Sequence, residues 1–389
     1  MIVVRAVFAL GCALALSSCA THPVEAPHER AAPNYALPSA PDGAFADLES
    51  VIRSEHGVDA SGFMLLDRNQ DGLRWRLALI DSARHSIDAQ YYIWYADATG
   101  DLLIKRLLDA ADRGVKVRLL VDDLNTVMAE ATKVQIRDKG AALVNAHPNL
   151  ELRLFNAWTQ RSLGGRVTEM ATDTSRLNYR MPNKVMIVDN QATIIGGRNI
   201  GDDYMGLHED YNFHDLDVLK TLHERHVKVS ILTNSLASHD VPAVNSHYKK
   251  WRKPIIETGA ELFEIRHDAA IQPLVADTPP THAEFMGLHS KGMVVDRERV
   301  FIGSMNFDPR SSRINSEMGV VVESRDLADA LAQNIERDLL PTNSWHVELD
   351  QSGKLRWTND RESVTRQPAR SWWQRVEDVI FMAFPRDLY

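Results

Sequence analysis

Two runs of this chain carry the same reactive residue types at the same spacing. RMPNKVMIVDNQATIIGGRN holds Lys184, Asp189, Gly196 and Asn199, and GLHSKGMVVDRERVFIGSMN holds Lys291, Asp296, Gly303 and Asn306. Lys291 follows Lys184 by 107 residues, and the other three pairs keep that offset. Lys, four residues, Asp, six residues, Gly, two residues, Asn is hard to obtain twice by chance, so it marks a duplicated unit. In the second copy His289 stands two residues before Lys291, and in the first copy Pro182 holds that place. Residues two apart on a strand face the same way, so His289 and Lys291 project together. Asn306 can join them after a turn and a return strand. A cation, a directional amide donor and an imidazole suit an anionic phosphate: the imidazole can attack phosphorus or move a proton. Taken singly they would be a surface lysine, a turn asparagine and a satisfied histidine, which leaves the register of the two copies unexplained. Pro182 has no nucleophile and no backbone donor, yet it can start a strand without breaking a sheet. His208 and His214 lie nearby in sequence and are taken as solvent-facing or structural.

The surrounding pattern predicts the elements that place these residues. LRWRLALIDSARH (73–85) has helical spacing, and SIDAQYYIW (86–94) is a buried strand. GDLLIKRLLDAADRG (100–114) is a helix stopped by Gly114, and VKVRLLVDD (115–123) is the next strand. Strand, helix, strand is a βαβ unit and argues for an α/β sheet. ELRLFN, KVMIVD, ATIIGG and HDLDVL supply further strands. VKVSILTNS (227–235) resembles VKVRLLVDD and opens the second half, followed by a helix around 241–258 and the strand ELFEIR. KGMVVD and RVFIGS form the second strand pair, and ALAQNIERDLL (330–340) is a late helix. DRNQDG (67–72) imitates a calcium loop, but the twelfth position is Ala78, so it is taken as a polar turn.

HSKGMVVDRERVFIGSMN resembles the signature of the phospholipase D superfamily. The flanks SIDAQYYIW, GGRNIGDDY, DLDVL, LTNS, FDPRS and SWW resemble bacterial cardiolipin synthases, particularly the type C branch and its lipoprotein relatives, from about residue 62 onward. The resemblance implies an α/β fold of duplicated lobes, each a mixed β-sheet flanked by helices, with the active site at the lobe interface and no metal or other cofactor. It implies a phosphatidyl transfer or phosphodiester cleavage in which the first-motif histidine forms a phosphohistidine and the second is the general acid and base. Carried over, His289 is the acid and base, Lys184, Lys291, Asn199 and Asn306 bind phosphate, and Asp189 and Asp296 are supporting carboxylates. The implied substrates are phosphatidylglycerol and a second phospholipid.

Two departures stand against that pattern. Pro182 removes the expected nucleophile. The second half also lacks a counterpart of its opening strand and most of a helix, because DLDVL (215–219) runs through KTLHERH straight into VKVSILTNS. A missing strand exposes a sheet edge. The alternatives are therefore a catalytically impaired relative that binds phospholipid head groups, and a homodimer pairing two intact second motifs.

The ends and the bulk composition set the location. Residues 1–19 hold one charge, Arg5, then the apolar run AVFALGCALAL and the tetrad Leu16, Ser17, Ser18, Cys19. The run is too short to span a bilayer and matches a secretory signal, and the tetrad resembles a lipobox with Cys19 as the acylated residue. Cys12 and Cys19 are the only cysteines, which excludes a disulfide framework. Residues 20–45, with five prolines, form a flexible tether. The expected organisation is a first lobe over 46–219, a shortened second lobe over 220–370 and an interfacial segment over 371–389. SWWQRVEDVIFMAF (371–384) is an amphipathic helix for a membrane surface. A net charge of -9 with no long basic run argues against nucleic acid. The expected location is the bacterial envelope, on the periplasmic face of the outer membrane.

Overall fold

The computed structural model describes residues 40–57, 61–123, 147–159, 162–215, 229–239, 242–306, 311 and 314–381. Its strands are β1 Ser86–Tyr91, β2 Lys116–Asp122, β3 Leu150–Phe155, β4 Lys184–Val188, β5 Ala192–Ile195, β6 Tyr211–Asp215, β7 Ser230–Asn234, β8 Glu261–Ile265, β9 Phe285–Ser290, β10 Gly292–Val295, β11 Arg299–Gly303, β12 Gly319–Glu323, β13 Ser344–Leu349, β14 Leu355–Thr358 and β15 Ser363–Val364. The helices are α1 Ala46–His56, α2 Asn69–Ser82, α3 Ala98–Asp112, α4 Leu163–Thr172, α5 Thr174–Leu177, α6 Pro242–Tyr248, α7 Arg252–Glu257, α8 Gln272–Val275, α9 Arg325–Asp338 and α10 Trp372–Ile380.

The first half is one sheet in the order β3-β2-β1-β4-β5. β1 is its central strand, parallel to β2 and antiparallel to β4. The link from β1 to β2 is α3, which starts at Asp97, whose side chain accepts from the Gly100 amide. The helix buries Leu103, Leu107, Ala110 and Ala111 and ends at Gly114, whose φ of 93° suits glycine. These residues join Ile80, Ile87, Val117 and Val188 in one continuous core cluster.

In the second half the equivalent sheet is split. β7 resembles β2 in sequence, and β10 corresponds to β4 by the 107-residue offset. No strand lies between them among the described residues. β7 ends a five-stranded sheet, β15-β14-β13-β8-β7, and β10 ends a three-stranded sheet, β10-β11-β12. The core there falls into three separate clusters. The place that β1 holds in the first half, between β2 and β4, is thus not filled by a described strand between β7 and β10. The linking residues 216–228, including KTLHERH, lie outside the described residues.

β6 corresponds to β12 by the same offset, but the two pair differently. β12 pairs antiparallel with β11, whereas β6 runs parallel to β9 of the second half. β5 is left at an edge. A Cβ on Gly196, just after β5, would meet nothing within 4 Å, while one on Gly303 would lie 2.5 Å from the Met318 carbonyl oxygen. The repeated glycine is therefore a steric necessity only in the second copy.

Several elements differ from the sequence expectation. α2 begins at Asn69, inside the run taken as a polar turn. Asn69 is fully buried and its side chain donates to the Phe213 and Ala276 carbonyls, so tertiary bonds draw the helix start backward. The expected helix over 241–258 is broken by a tight turn at Lys249–Trp251. Residues 40–45, expected at the end of the tether, are docked: the Phe45 amide donates to Gln191 Oε1 at 3.1 Å, and Gln191 Nε2 donates to the Ala40 carbonyl at 2.9 Å. HDLDVL is a strand only as far as Asp215, and its remainder lies outside the described residues. β13 to β15, which carry no long apolar run, were not foreseen.

The two motif hairpins have the same turn. Asp189, Asn190, Asp296 and Arg297 all have φ of 53°, two left-handed residues in each turn, as a type I′ connection requires. The two aspartates nevertheless have different surroundings. Asp189 is 1% exposed, and its carboxylate accepts from the amides of Ala44, Arg84, His85 and Ser86 at 2.8–3.3 Å. Three of those amides belong to the entry into β1. Asp296 is exposed, and no strand entry faces it among the described residues. Asp189 therefore clamps the sheet, a structural task.

Burial of the Asp189 carboxyl raises its proton affinity, but the four amide bonds outweigh it and hold the group below the ordinary aspartate range. The folded value is depressed, so its stabilisation is present above the unfolded value and is lost as pH falls through the folded one. Asp189→Ala is expected to cost about 3 kcal/mol, and Asp296→Ala less than about 0.5 kcal/mol. Denaturant unfolding at neutral pH checks this, and the difference between the two variants shrinks in acid below the usual carboxylate range.

Candidate active site

The site is assembled at the ends of β2, β4, β7 and β9. In the first copy Asp122, the last residue of β2, is buried and accepts from the Met181 amide at 3.0 Å. Its other oxygen takes a bond from Arg180 Nη1 at 3.1 Å. That fixes the chain just before the buried Pro182. The second copy repeats the device with different chemistry. Asn234, the last residue of β7, accepts from the Leu288 amide at 2.8 Å and donates to the Leu288 carbonyl at 2.5 Å. Leu288 is the counterpart of Met181, and each precedes the motif's first position. A carboxamide offers both a donor and an acceptor, so Asn234 does for Leu288 what a neighbouring backbone would do. Ser238 Oγ in turn donates to Asn234 Oδ1 at 2.9 Å. Asp122, Asn234 and Arg180 were not identified from sequence. The signal lay in the resemblance of VKVRLLVDD to VKVSILTNS, which aligns Asp122 with Asn234.

The two lysines are placed alike. Lys184 Nζ donates to the Pro182 carbonyl at 2.6 Å, and Lys291 Nζ donates to the His289 carbonyl. The Gly196 amide bonds the Lys184 carbonyl and the Gly303 amide bonds the Lys291 carbonyl, at 3.3 and 3.0 Å. Both lysines are buried, at 3% and 5% exposure, and Lys184 lies 5.4 Å from the centre of the Tyr92 ring. An ammonium has three donors and is costly to bury, so two buried ammonium groups favour an anion beside them. Asn199 Oδ1 accepts from the Ile93 amide at 3.1 Å, and its Nδ2 is buried with no acceptor among the described residues. Asn306 is half-buried after β11, next to undescribed residues 307–310.

His289 is half-buried at the junction of the two halves. Its ring stands edge-on to Tyr204 with centroids 5.4 Å apart, and 5.4 Å from the Phe213 ring. Both aromatic residues follow the first motif. The Ser316 amide donates to the Arg180 carbonyl at 2.9 Å, a second bridge between the halves. Ser304 Oγ donates to Glu317 Oε2 at 2.7 Å, a bond that Gly197, its counterpart in the first copy, has no side chain to make.

Neither nearby histidine stands in for the missing one. His214 pairs in register with Leu288, so it lies on the face of the strands opposite His289. It is buried, with Nε2 2.8 Å from Asp338 Oδ2. His208 Nδ1 accepts from the Asp210 amide at 3.2 Å, closing a local turn. Of the residues expected to act, the structure thus holds Lys184, Lys291, Asn199 and His289 around the strand ends. It assigns Asp189 to the fold and leaves Asp296 at the surface.

The family described as cardiolipin synthase, PLD-like domain, matches the chain twice, over residues 77–215 and 211–339. Cardiolipin synthase C of Escherichia coli (strain K12) is 30% identical over 455 residues, which takes in 81% of this chain and 93% of the relative. Those 455 aligned positions exceed the 389 residues here, so that relative has segments without a counterpart in this chain. The major cardiolipin synthase ClsA of Bacillus subtilis (strain 168) is 24% identical over 391 residues, 81% of this chain and 77% of the relative. The crystal structure of phosphatidylserine synthase from Haemophilus influenzae Rd KW20 superposes with a TM-score of 0.49 at 12% identity, covering 70% of this chain and 84% of the other.

Removing the Asn234 side chain leaves both backbone groups of Leu288 without that partner. Asn234→Ala is expected to raise amide hydrogen exchange at Leu288 and His289 by about 10- to 100-fold, which corresponds to a local cost of about 1–3 kcal/mol. Exchange read by mass spectrometry checks this, and unchanged protection of β9 would mean that the carboxamide does not hold it.

Proposed function

The chain belongs to the PLD-like cardiolipin synthase family, and on that footing we propose that it acts on phospholipids, transferring or hydrolysing a phosphatidyl group at the envelope membrane. The observation that carries this reading is that both motif lysines are buried and the Asn199 amide nitrogen is buried with no acceptor among the described residues, while the motif histidine His289 is intact. Lys184 and Lys291 supply charge to the phosphodiester. Asn199, and Asn306 from the second copy, supply directional donors to its oxygens. His289 is the general acid and base. In the complete reaction an imidazole nitrogen attacks phosphorus, the bond to the departing alcohol breaks, and that alkoxide takes a proton from the second imidazole. An incoming phosphatidylglycerol hydroxyl then gives up its proton to the same base and displaces the histidine. Water in place of that hydroxyl makes the reaction a hydrolysis.

Pro182 withholds the first imidazole, so one histidine per chain must serve where the reaction uses two. That favours a second reading, a relative with little turnover that holds phospholipid head groups through the same lysines. A homodimer sharing two copies of His289 would restore the pair. Cys19, in the undescribed residues 1–39, is the proposed acyl anchor, and the periplasmic face of the outer membrane the proposed location.

Expression in a strain without cardiolipin synthases is expected to raise cardiolipin slightly, and Pro182→His to raise it by a further ~10²-fold or more. No cardiolipin from either form would overturn the transferase reading. Trapping a phosphorylated enzyme in the Pro182→His form should place the label on residue 182. Labelled fatty acid should enter the chain and be lost in Cys19→Ala.

A further inference from the structure

α10 is packed the wrong way round for a helix of a water-exposed surface. Its buried residues are Gln374 and Asp378, one turn apart on a single face. Asp378 accepts from Asn245 Nδ2 at 2.7 Å, Lys249 Nζ at 2.6 Å and Gln367 Nε2 at 3.0 Å. Gln374 Nε2 donates to the Leu236 carbonyl at 2.6 Å, and Gln374 Oε1 accepts from the Arg370 amide at 2.9 Å. Ser371 Oγ caps the helix by accepting from the Gln374 amide at 3.2 Å. The opposite face carries the apolar residues. Trp372 is 72% exposed, Trp373 47%, Val379 58% and Ile380 48%. Directional polar bonds, in place of apolar burial, hold the helix in this orientation.

The rim of that face is cationic. Arg366, Arg370 and Arg375 line the same surface groove as Trp372, Val376, Val379 and Ile380. Arg366 and Arg375 form no ion pair with any described residue. Burial, and then the neighbouring Arg366, hold the Arg375 guanidinium below the ordinary arginine range, as expected of two like charges left close together. Arg370 lies over the Phe285 ring at 3.4 Å and donates to the His239 carbonyl at 3.2 Å, which fixes it at the edge of the groove. Glu377 is the acid on the flank of the helix. A whole chain with a net charge of -9 is repelled by an anionic surface, so attraction to one must be local.

We propose that the outward face of α10, with Arg366, Arg370 and Arg375, is a docking surface for an anionic phospholipid bilayer. The indoles of Trp372 and Trp373 enter the head-group boundary, where an apolar ring with a polar N–H is favoured. The aliphatic side chains of Val379 and Ile380 enter beside them, and the arginines meet lipid phosphates. The protein would then lie against the membrane by this face. The proposal shares with the proposed function only the presence of phospholipid. Binding is read without turnover, so failure of either leaves the other standing.

The test uses the full chain carrying Cys19→Ser, so that no acyl anchor contributes, with vesicles of phosphatidylglycerol or phosphatidylcholine. Co-sedimentation is expected with phosphatidylglycerol, weakened by salt, and to a much smaller extent with phosphatidylcholine. Brominated phosphatidylglycerol is expected to quench indole emission. Trp372→Ser with Trp373→Ser should abolish that quenching and lower partition on the order of tenfold or more. Arg366→Gln with Arg375→Gln should lower it on the order of tenfold. Trp251→Ser, at an indole 46% exposed outside this face, should change neither. Equal binding to both vesicles, or binding and quenching undiminished in the Trp372/Trp373 variant, overturns the proposal. So does a fall in the sedimentation mass of that variant without vesicles, which would make the face a contact between two copies.

Discussion

A buried strand needs hydrogen-bond partners along both of its edges, and among the described residues of the second half no strand provides them between β7 and β10. Much of the asymmetry between the halves follows. In the first half β1 is bonded on both sides, and one core forms around it. In the second half the sheet divides and its core divides with it. The backbone at Leu288 is served by the carboxamide of Asn234, a side chain doing the work of a strand. β6 pairs with β9 of the other half and leaves β5 as an edge. Asp296 keeps the turn geometry of Asp189 and has no strand entry to clamp.

The same constraint separates structural from chemical residues within one motif. Asp189 looks as reactive as Lys184 in a sequence, since both are ionisable and repeated. Four backbone amides converge on its carboxylate, which occupies it in holding β1 to the hairpin. Lys184 and Lys291 each donate to the carbonyl two residues earlier, leaving the ammonium beside the junction of the halves. Asn199 splits its roles: the oxygen braces Ile93, and the nitrogen remains available to an acceptor. Both copies therefore keep a buried lysine in the same place, while the histidine stands only in the second.

Buried charge settles the remaining geometry. Arg180 with Asp122 locks the approach to Pro182. Arg252 with Glu264, 2.5 Å apart, is a buried pair within the second half, and Lys249 with Asp378 ties the C-terminal helix to it. Such pairs are costly to desolvate and serve better to specify an arrangement than to stabilise it. Around α10 that specification turns the polar face inward and the tryptophans outward. An apolar face is left toward solvent by geometry, and this is the feature that most directs attention to a lipid surface.

The sequence by itself determined the duplication, the α/β class, the βαβ start and the place of Pro182 in the histidine's register. Each of those depends on spacing along the chain, which survives without knowledge of contacts. It also raised the expectation of a shortened second half, because one copy has a segment for which the other shows no counterpart. Among the elements it missed were α1, α4 and β13 to β15, and the start of α2, where Asn69 is held by bonds to residues far along the chain. Only the tertiary structure decided which repeated residues are scaffold. Asp189 and Asp296 hold the same place in the two repeats and share a φ of 53°, and they differ in what the rest of the chain brings beside them. The same holds for His214, which lies on the face of the strands opposite His289, and for α10, whose amphipathic pattern was legible while its outward direction was not. Direction depends on which buried partners a helix finds, and three of those partners, Leu236, Asn245 and Lys249, lie more than a hundred residues away.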